Sequence, residues 1–371
     1  MTKIFLIRHA EAEGNIFRRA HGHVNGQIIG RGYKQIEQLE KRFLREKISA
    51  VYSSDLTRAV ITANAVSRPR GMQVNTTELL REVRMGAWED EAWGNLHYEN
   101  PNMVRVFSND PARWNVKGGE EYALVRSRMT GCIKEIARQN DGESIAVVSH
   151  GFAIRSLLCE IIGIPSNEIA RIPYCDNTAV SLLKYENGKL SVEFHSDNSH
   201  LKGDTSTFAH QAWWRSERES VEENVRFAPL DERRDNALLE SLYREGFSRN
   251  NADKEYAAFL ADVPVGIVGL YTERNIAHER GTGSGEPETG DIGDSAGWIA
   301  YMYILPGYRR MNYGVQLLGQ AVTEFRRQRK AKLRVNIPPA EAAVNFCDKF
   351  GFIKREEADS SLLMEKNIRN W

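Results

Sequence analysis

Two histidines and two arginines stand where short apolar runs end. Lys3 to Ile7 leads directly into Arg8-His9, and Ser144 to Val148 leads into Ser149-His150-Gly151. Arg58 follows a third run, Ala50 to Ser54. Arginine offers permanently charged, bidentate contacts to phosphoryl oxygens, and a protonated His150 would add another donor. His9 is the nucleophile of such a set. An imidazole attacks phosphorus only when neutral, and neighbouring cations depress its pKa toward that state.

The elements that carry these residues can be read from pattern. Each run is a strand of buried type, and ligands in open parallel sheets sit outside the carboxyl ends of the strands. After the second run, Ser54 or Asp55 can cap a helix in which Leu56, Ala59, Val60, Ala63 and Val66 recur at helical spacing. Arg58 then lies in the first turn, pointing toward the same end of the sheet. A helical pattern runs from Phe152 to Ile162 behind His150. Strand and helix alternate through the first 200 residues, which predicts an α/β fold with a mostly parallel sheet covered on both faces.

The stretch Leu6-Ile7-Arg8-His9-Ala10-Glu11-Ala12-Glu13-Gly14-Asn15 resembles the signature of the histidine phosphatase superfamily, in its phosphoglycerate mutase-like branch. The usual glycine is replaced by Ala10. Gly22, Asn25, Gly32 and Gln35 follow the family's next segment, with Asn25 for Asp and Gln27-Ile28-Ile29 for Pro-Leu-Thr. Ser53 to Ala59, Leu80 to Asp90, Gly118-Gly119-Glu120 and Val148 to Gly151 supply further matches in the same order. The resemblance implies a three-layer α/β/α domain that hydrolyses a small-molecule phosphomonoester through a phosphohistidine on His9. It places Glu82 as proton donor and then base, with Arg8, Arg58 and His150 on the phosphoryl oxygens. Asn15, Gly22 and Gly151 complete the implied phosphate site, and no metal is required.

At 371 residues the chain is long enough for two domains. Fifty basic residues balance fifty acidic ones, so neither nucleic acid nor an anionic membrane surface is expected as a partner. Cys132, Cys159, Cys175 and Cys347 show no pairing or ligand spacing, and no run is long enough for a signal peptide or a membrane span. A cytoplasmic protein is expected, with a homodimer as an admissible assembly. An irregular excursion from about 68 to 118 holds Trp88, Trp93, Tyr98, Phe107 and Trp114, as a substrate wall or as a satellite core under a long loop. Asn177 to Leu183 reads as a further strand, with Lys189 to Phe194 as its hairpin partner across Asn187-Gly188. His21 and His23 lack acidic or cysteine neighbours at ligand spacing and read as loop residues, with Gly22 letting the backbone approach the pocket.

The domains are expected at 1–203 and 225–371, joined by a polar connector at 204–224 whose Trp213-Trp214 pair packs against one of them. In the second, Asp231 to Phe247 has an amphipathic helical pattern, and Tyr256 to Leu260 and Val265 to Tyr271 form a hairpin. The glycine-rich segment 281–293 has nothing to bury and reads as a loop. Trp298 to Leu305 is a strand, Pro306 to Gly314 a turn and Val315 to Arg329 a helix.

That strand, turn and helix resemble the coenzyme-binding motif of the GCN5-related N-acetyltransferases (GNAT), whose first helical turn holds the pyrophosphate of acetyl-CoA. The resemblance implies an α+β domain with Ile304, Leu305, Arg309, Arg310, Met311, Asn312, Tyr313, Gly314 and Val315 around the coenzyme. Asn312 stands at the first motif glycine and Arg310 at another position that is commonly glycine. Asparagine tolerates positive φ better than other residues with a side chain. Phe346 to Phe352 resembles a later family motif, with Cys347 at the position of the usual acid tyrosine and Ala340 where asparagine is common. Glu273, Glu279 and Asp294 read as solvated loop charges, not as a base. The expectation is a bifunctional enzyme acting on a phosphomonoester and, with acetyl-CoA, on an unknown amine. The alternatives are a phosphatase with a non-catalytic acetyl-CoA-binding domain and a mutase-type phosphotransferase.

Overall fold

The computed structural model describes residues 1–216, 219, 223–250, 252–272, 296–358 and 360–369. The glycine-rich segment 281–293 and the carboxylates Glu273, Glu279 and Asp294 lie outside the described residues. The chain divides into two compact units, 1–15 with 19–223, and 16–18 with 224–371.

The first unit is built on β1 (Thr2–Arg8), β2 (Ala50–Ser54), β3 (Val74–Thr77), β4 (Ser144–Ser149), β5 (Val180–Glu186) and β6 (Lys189–Asp197), in the order β3-β2-β4-β1-β5-β6. The first four strands in that order are mutually parallel, and β5 and β6 are antiparallel. Side chains of a strand alternate between faces, so Ile4 and Leu6 join one core and Phe5 and Ile7 another. The first core also contains Met129 and Ile133 of α6 (Tyr122–Gln139) and Ile154 and Leu157 of α7 (Gly151–Ile162). The second contains Leu39 and Phe43 of α2 (Gly30–Phe43) and Ala59 and Ala63 of α3 (Thr57–Ser67). A sheet covered on both faces needs nearly continuous apolar strands, and β1 and β4 supply them. This is a three-layer α/β/α domain. A short helix, α1 (Glu13–Phe17), follows the first strand.

Two local features of this unit differ from the sequence reading. Helix α3 begins at Thr57, not after a Ser54 or Asp55 cap, because Asp55 is paired with Arg81 and the Thr57 amide donates to Asn25 Oδ1 at 3.0 Å. The excursion at 68–118 contains the edge strand β3 and the helices α4 (Trp93–Glu99) and α5 (Pro101–Asn109). Strand β3 has only four residues and no buried side chain, so alternation could not reveal it. In the β5–β6 hairpin, Asn187 and Gly188 take φ of 50° and 78°, the left-handed pair of a tight turn.

The second unit carries β7 (Arg226–Pro229), β8 (Lys254–Leu260), β9 (Val263–Tyr271), β10 (Gly297–Ile304), β11 (Lys332–Ile337), β12 (Ile353–Ala358) and β13 (Ser361–Asn367). Their order is β12-β13-β11-β10-β9-β8-β7, antiparallel except for β10 with β11. Helices α8 (Asn236–Arg244), α9 (Tyr313–Arg327) and α10 (Glu341–Lys349) complete an α+β domain. Helix α8 is shorter than its amphipathic pattern. The Asp231 carboxylate accepts from the amides of Arg233 and Arg234, forming a turn ahead of the helix. Among the described residues no helix is long and apolar enough to cross a membrane.

Candidate active site

The register of β1 and β4 sets the centre of the site. Arg8 pairs with Ser149, so the next residues, His9 and His150, leave adjacent strands side by side. The His9 amide donates to Ser149 O at 3.0 Å, and the two imidazole centroids are 5.1 Å apart. Arg58, in the first turn of α3, is fully buried and donates through Nη1 to Val24 O (2.7 Å) and Nη2 to Gly22 O (2.8 Å). Arg8 donates through Nη1 to Cys175 O at 2.6 Å. Gly151 sits against it, since a Cβ there would lie 3.3 Å from Arg8 Nε. Gly22 has φ +44°, and a Cβ would meet the Glu89 carboxylate at 2.0 Å.

Hydrogen bonding fixes the tautomer of His9. Its Nδ1 lies 2.7 Å from Ala10 O, and a carbonyl can only accept, so Nδ1 carries the proton. The lone pair is then on Nε2. Burial, then Arg58 and Arg8, hold the His9 pKa well below the usual 6.5. Burial, then Arg58 and His9, do the same to His150, so in the free site it is neutral and has one N–H to offer, not two. Arg58 is lowered by burial to about 10, which leaves it charged at neutral pH.

Arg8 Nε, Arg58 Nε and both ring nitrogens of His150 are buried without a protein hydrogen-bond partner. An unsatisfied buried polar group costs about 1–3 kcal/mol, a sizeable part of the roughly 5–15 kcal/mol that stabilises a domain. A tetrahedral oxyanion would satisfy donors arranged in this way.

Glu82 is half-buried beside this set. Its Oε2 accepts from the Phe152 amide (3.1 Å), and Oε1 from the amides of Ala153 (2.9 Å) and Val83 (3.0 Å). The carboxylate thus rests on the first turn of α7, the helix that begins beside His150. Asn15 Oδ1 accepts from the Ala12 amide, which leaves its NH₂ as the free end of that side chain's polar group. His21 Nε2 accepts from the Gly14 amide at 2.7 Å, and His23 Nε2 donates to Glu82 O at 2.8 Å, so both imidazoles serve the loops. Gln35 takes the Glu11 amide on Oε1 and donates through Nε2 to Thr205 O and Thr207 Oγ1.

Several positioning residues gave no signal in the sequence. Thr62 Oγ1 accepts from the Ala10 amide and donates to Arg58 O, joining the segments that carry His9 and Arg58. Asn177 Nδ2 donates to His9 O at 2.8 Å, and the Thr178 amide to Arg8 O at 3.1 Å. Thr178 holds φ +60°, which is strained for a β-branched residue. The expected strand from Asn177 begins only at Val180, and the hydrogen bonds of Asn177 and Thr178 show that these two residues brace the backbone of Arg8 and His9 instead. Trp88 and Trp114 are buried core residues, whereas Trp93, Phe107 and Phe152 are half-buried against them, with Phe107 and Phe152 stacked at 4.8 Å. Tyr98 is exposed. Trp213 packs edge-on against Tyr174, and Trp214 stacks on Phe208, all within the first unit.

Among the described residues of the second unit, β10 and β11 pair only from Gly297–Ile299 to Leu333–Val335, while the rest of β10, through Ile304, pairs only with β9. Parallel strands that part in this way leave one edge of each without a ladder partner among the described residues. Between β10 and α9, Arg310 and Asn312 have φ of 67° and 63°. Both positions keep the glycine-type backbone although neither is glycine, as Asn312 was expected to. Leu305 follows β10 half-buried, Arg309, Met311 and Asn312 are exposed, and Tyr313 and Val315 are buried at the start of α9. Arg309 Nε donates to Ile304 O at 2.9 Å. Gly314 lies against Phe346, from which a Cβ would be 3.6 Å away. Cys347, next along α10, is buried, and burial pushes its thiol up to about 12. That makes it a weaker acid than an ordinary cysteine.

Depressed histidine pKa values have a definite consequence. The unfolded chain binds more protons than the native one once pH falls below 6.5, so stability is full above 6.5 and declines as pH drops through the folded values. NMR titration of ¹³C,¹⁵N-labelled histidine is expected to show His9 and His150 neutral at pH 6.5, with the His9 proton on Nδ1. Half-protonation of His9 at that pH would contradict this geometry.

A family model for the histidine phosphatase superfamily (branch 1) matches residues 4–198, more than half of the chain, and one for the acetyltransferase (GNAT) family matches residues 210–352. Phosphoserine phosphatase 1 of Hydrogenobacter thermophilus is 27% identical over 212 residues, covering 57% of this chain and 100% of that protein. Phosphoglycerate mutase-like protein 4 of Arabidopsis thaliana is 30% identical over 205 residues, covering 54% of this chain and 87% of the relative. The solved structure of Bacillus stearothermophilus YhfR has a TM-score of 0.53 at 26% identity, over 54% of this chain and 100% of its own. The chain belongs to the histidine phosphatase superfamily, and a GNAT-family acetyltransferase domain follows its phosphatase domain.

Proposed function

We propose that the first unit hydrolyses small phosphomonoesters through a phosphohistidine on His9. The observation that carries this reading is the neutral His9 Nε2, its proton held on Nδ1 by Ala10 O, beside the buried and unpartnered donors of Arg8, Arg58 and His150. His9 Nε2 attacks phosphorus as the ester P–O bond breaks. Arg8, Arg58, His150 and Asn15 hold the phosphoryl oxygens, with Gly22 and Gly151 letting the arginines close on them. Glu82 in its acid form gives its proton to the departing alkoxide. Water then attacks phosphorus, the P–N bond breaks, Glu82 takes the proton from that water, and inorganic phosphate leaves. A general acid of this kind contributes roughly 10²–10⁴-fold, least for leaving groups that depart as stable anions. The relative named a phosphoserine phosphatase makes phosphoserine the first compound to try. A cytoplasmic location accords with four free cysteines.

For the second unit we propose acetyl-CoA binding and transfer to an amine. Bound acetyl-CoA would supply a thioester-activated acetyl group. Ile304 and Leu305 would line the open side of β10, and Arg309 to Val315 would place the first amides of α9 against the pyrophosphate. Cys347 fits packing better than proton transfer, because a thiol near 12 gives up its proton poorly to a thiolate of ordinary pKa. That observation favours a second reading, in which this unit binds acetyl-CoA without transferring the acetyl group.

The expected result is release of inorganic phosphate from one member of a phosphomonoester panel, in full stoichiometry, abolished by His9→Ala. Transfer of the phosphoryl group to a second hydroxyl would instead indicate a mutase. Glu82→Gln is expected to slow alkyl esters by about 10²-fold or more and p-nitrophenyl phosphate far less. For the second unit, calorimetric titration should detect acetyl-CoA binding that Arg310→Glu weakens by about tenfold, on the scale of one charged contact. Failure of the intact protein to bind would contradict both readings of that unit, and thiol release with an amine would decide between them.

A further inference from the structure

Glu82 lies in a stretch with no regular structure of its own, between the 3-10 turn Glu78–Leu80 and the turn at Gly86–Trp88. Something outside that stretch must hold it. Arg128, on α6, does so with its whole guanidinium. Nη1 donates to Leu79 O (2.9 Å) and Arg81 O (2.7 Å), and Nη2 donates to Glu82 O (3.0 Å). The remaining two N–H bonds go to Glu120, from Nε to Oε1 (2.6 Å) and from Nη2 to Oε2 (2.9 Å). A guanidinium has five N–H groups, and all five are used here. None is left for a phosphoryl oxygen.

The pair is mostly shielded, with Arg128 and Glu120 side chains 15% and 11% exposed. Burial alone would raise the Glu120 pKa, but Arg128 overcomes it and the carboxylate is held below its usual range. Glu120 also reaches the same loop through its backbone. Its amide donates to Arg84 O at 2.9 Å, its Oε2 accepts from the Arg84 amide at 3.3 Å, and Gly119 bridges Met85. Gly86, at φ +60°, comes so close that a Cβ would lie 2.3 Å from Gly119 N and Lys117 O. Segment 79–86 is therefore clipped at three carbonyls by Arg128 and along its later part by the Gly-Gly-Glu turn.

We propose that Arg128 and Glu120 are positioning residues for Glu82, setting where its carboxylate meets the first turn of α7 and hence the leaving-group oxygen. They act on proton transfer and not on phosphate capture. The proposal rests on Glu82 being the proton donor. It also accounts for the Gly-Gly-Glu motif, where the glycines allow backbone contact and the glutamate orients the arginine. Lysine cannot replace Arg128, because a single ammonium cannot span three carbonyls and a carboxylate.

The test uses the full-length enzyme, with an alkyl phosphomonoester that it hydrolyses and p-nitrophenyl phosphate. Arg128→Lys is expected to reduce kcat on the alkyl ester by about tenfold or more beyond any loss on the aryl ester, with KM within about threefold. Glu120→Gln, which keeps the side-chain shape, should cause a smaller loss with the same selectivity. Because both act through Glu82, Arg128→Lys combined with Glu82→Gln should be no slower than Glu82→Gln alone. Equal loss on both esters in Arg128→Lys and Glu120→Gln, or multiplying losses in the double variant, would overturn the proposal while a selective Glu82→Gln left the donor assignment standing. An unselective Glu82→Gln would instead remove the donor assignment, and the positioning role with it.

Discussion

Burying arginine Nε and imidazole nitrogens without protein partners at the end of one sheet is the constraint on which the first unit depends. Arg58 is fully buried and Arg8 nearly so, and the Nε of each meets no protein acceptor. Such groups are tolerated only when the surroundings fix them firmly, since relaxation would let them find water or a carbonyl. Carbonyls of Gly22 and Val24 fix Arg58, and that of Cys175 fixes Arg8. The same field depresses His9 and His150, so the cations that can neutralise an oxyanion also keep His9 unprotonated. In the proposed reaction one electrostatic arrangement serves both binding and reactivity.

Supporting loops carry the second layer of this design. Thr62, Asn177 and Thr178 brace the backbone around Arg8, His9 and Ala10, while Arg128 and Glu120 brace the loop of Glu82. The two braces come from different elements and meet different chemical groups. The loop of Glu82 is nevertheless tied to the phosphate-facing residues, because His23 Nε2 donates to Glu82 O and the Glu82 carboxylate accepts from the first turn of α7.

The strand-end residues of the phosphatase unit were legible because strong apolar runs terminate at Arg8-His9 and Ser149-His150, and period and position together imply convergence. The capping of α3 by Asn25 was not legible, because its donor and acceptor are 32 residues apart. Nor was the role of Arg128, since an arginine on an amphipathic helix looks like any solvated charge until its five donors are traced. Strand β3 was too short and too exposed to show alternation. In the second unit the substitution of glycine by Asn312 was read correctly as compatible with positive φ, and Arg310 shows the same backbone at a residue with no such tolerance. Cys347 could be placed by motif, but its acidity depends on burial, which sequence does not report.

The central claim is that His9 carries the phosphoryl group. The direct measurement is rapid mixing of the enzyme with a ³²P-labelled phosphomonoester substrate, an alkaline quench that preserves phosphohistidine, and peptide mass spectrometry. The account predicts transient label on the peptide containing His9, acid-labile and absent in His9→Ala. Turnover with no labelled protein at any time, or label on another residue, would contradict it.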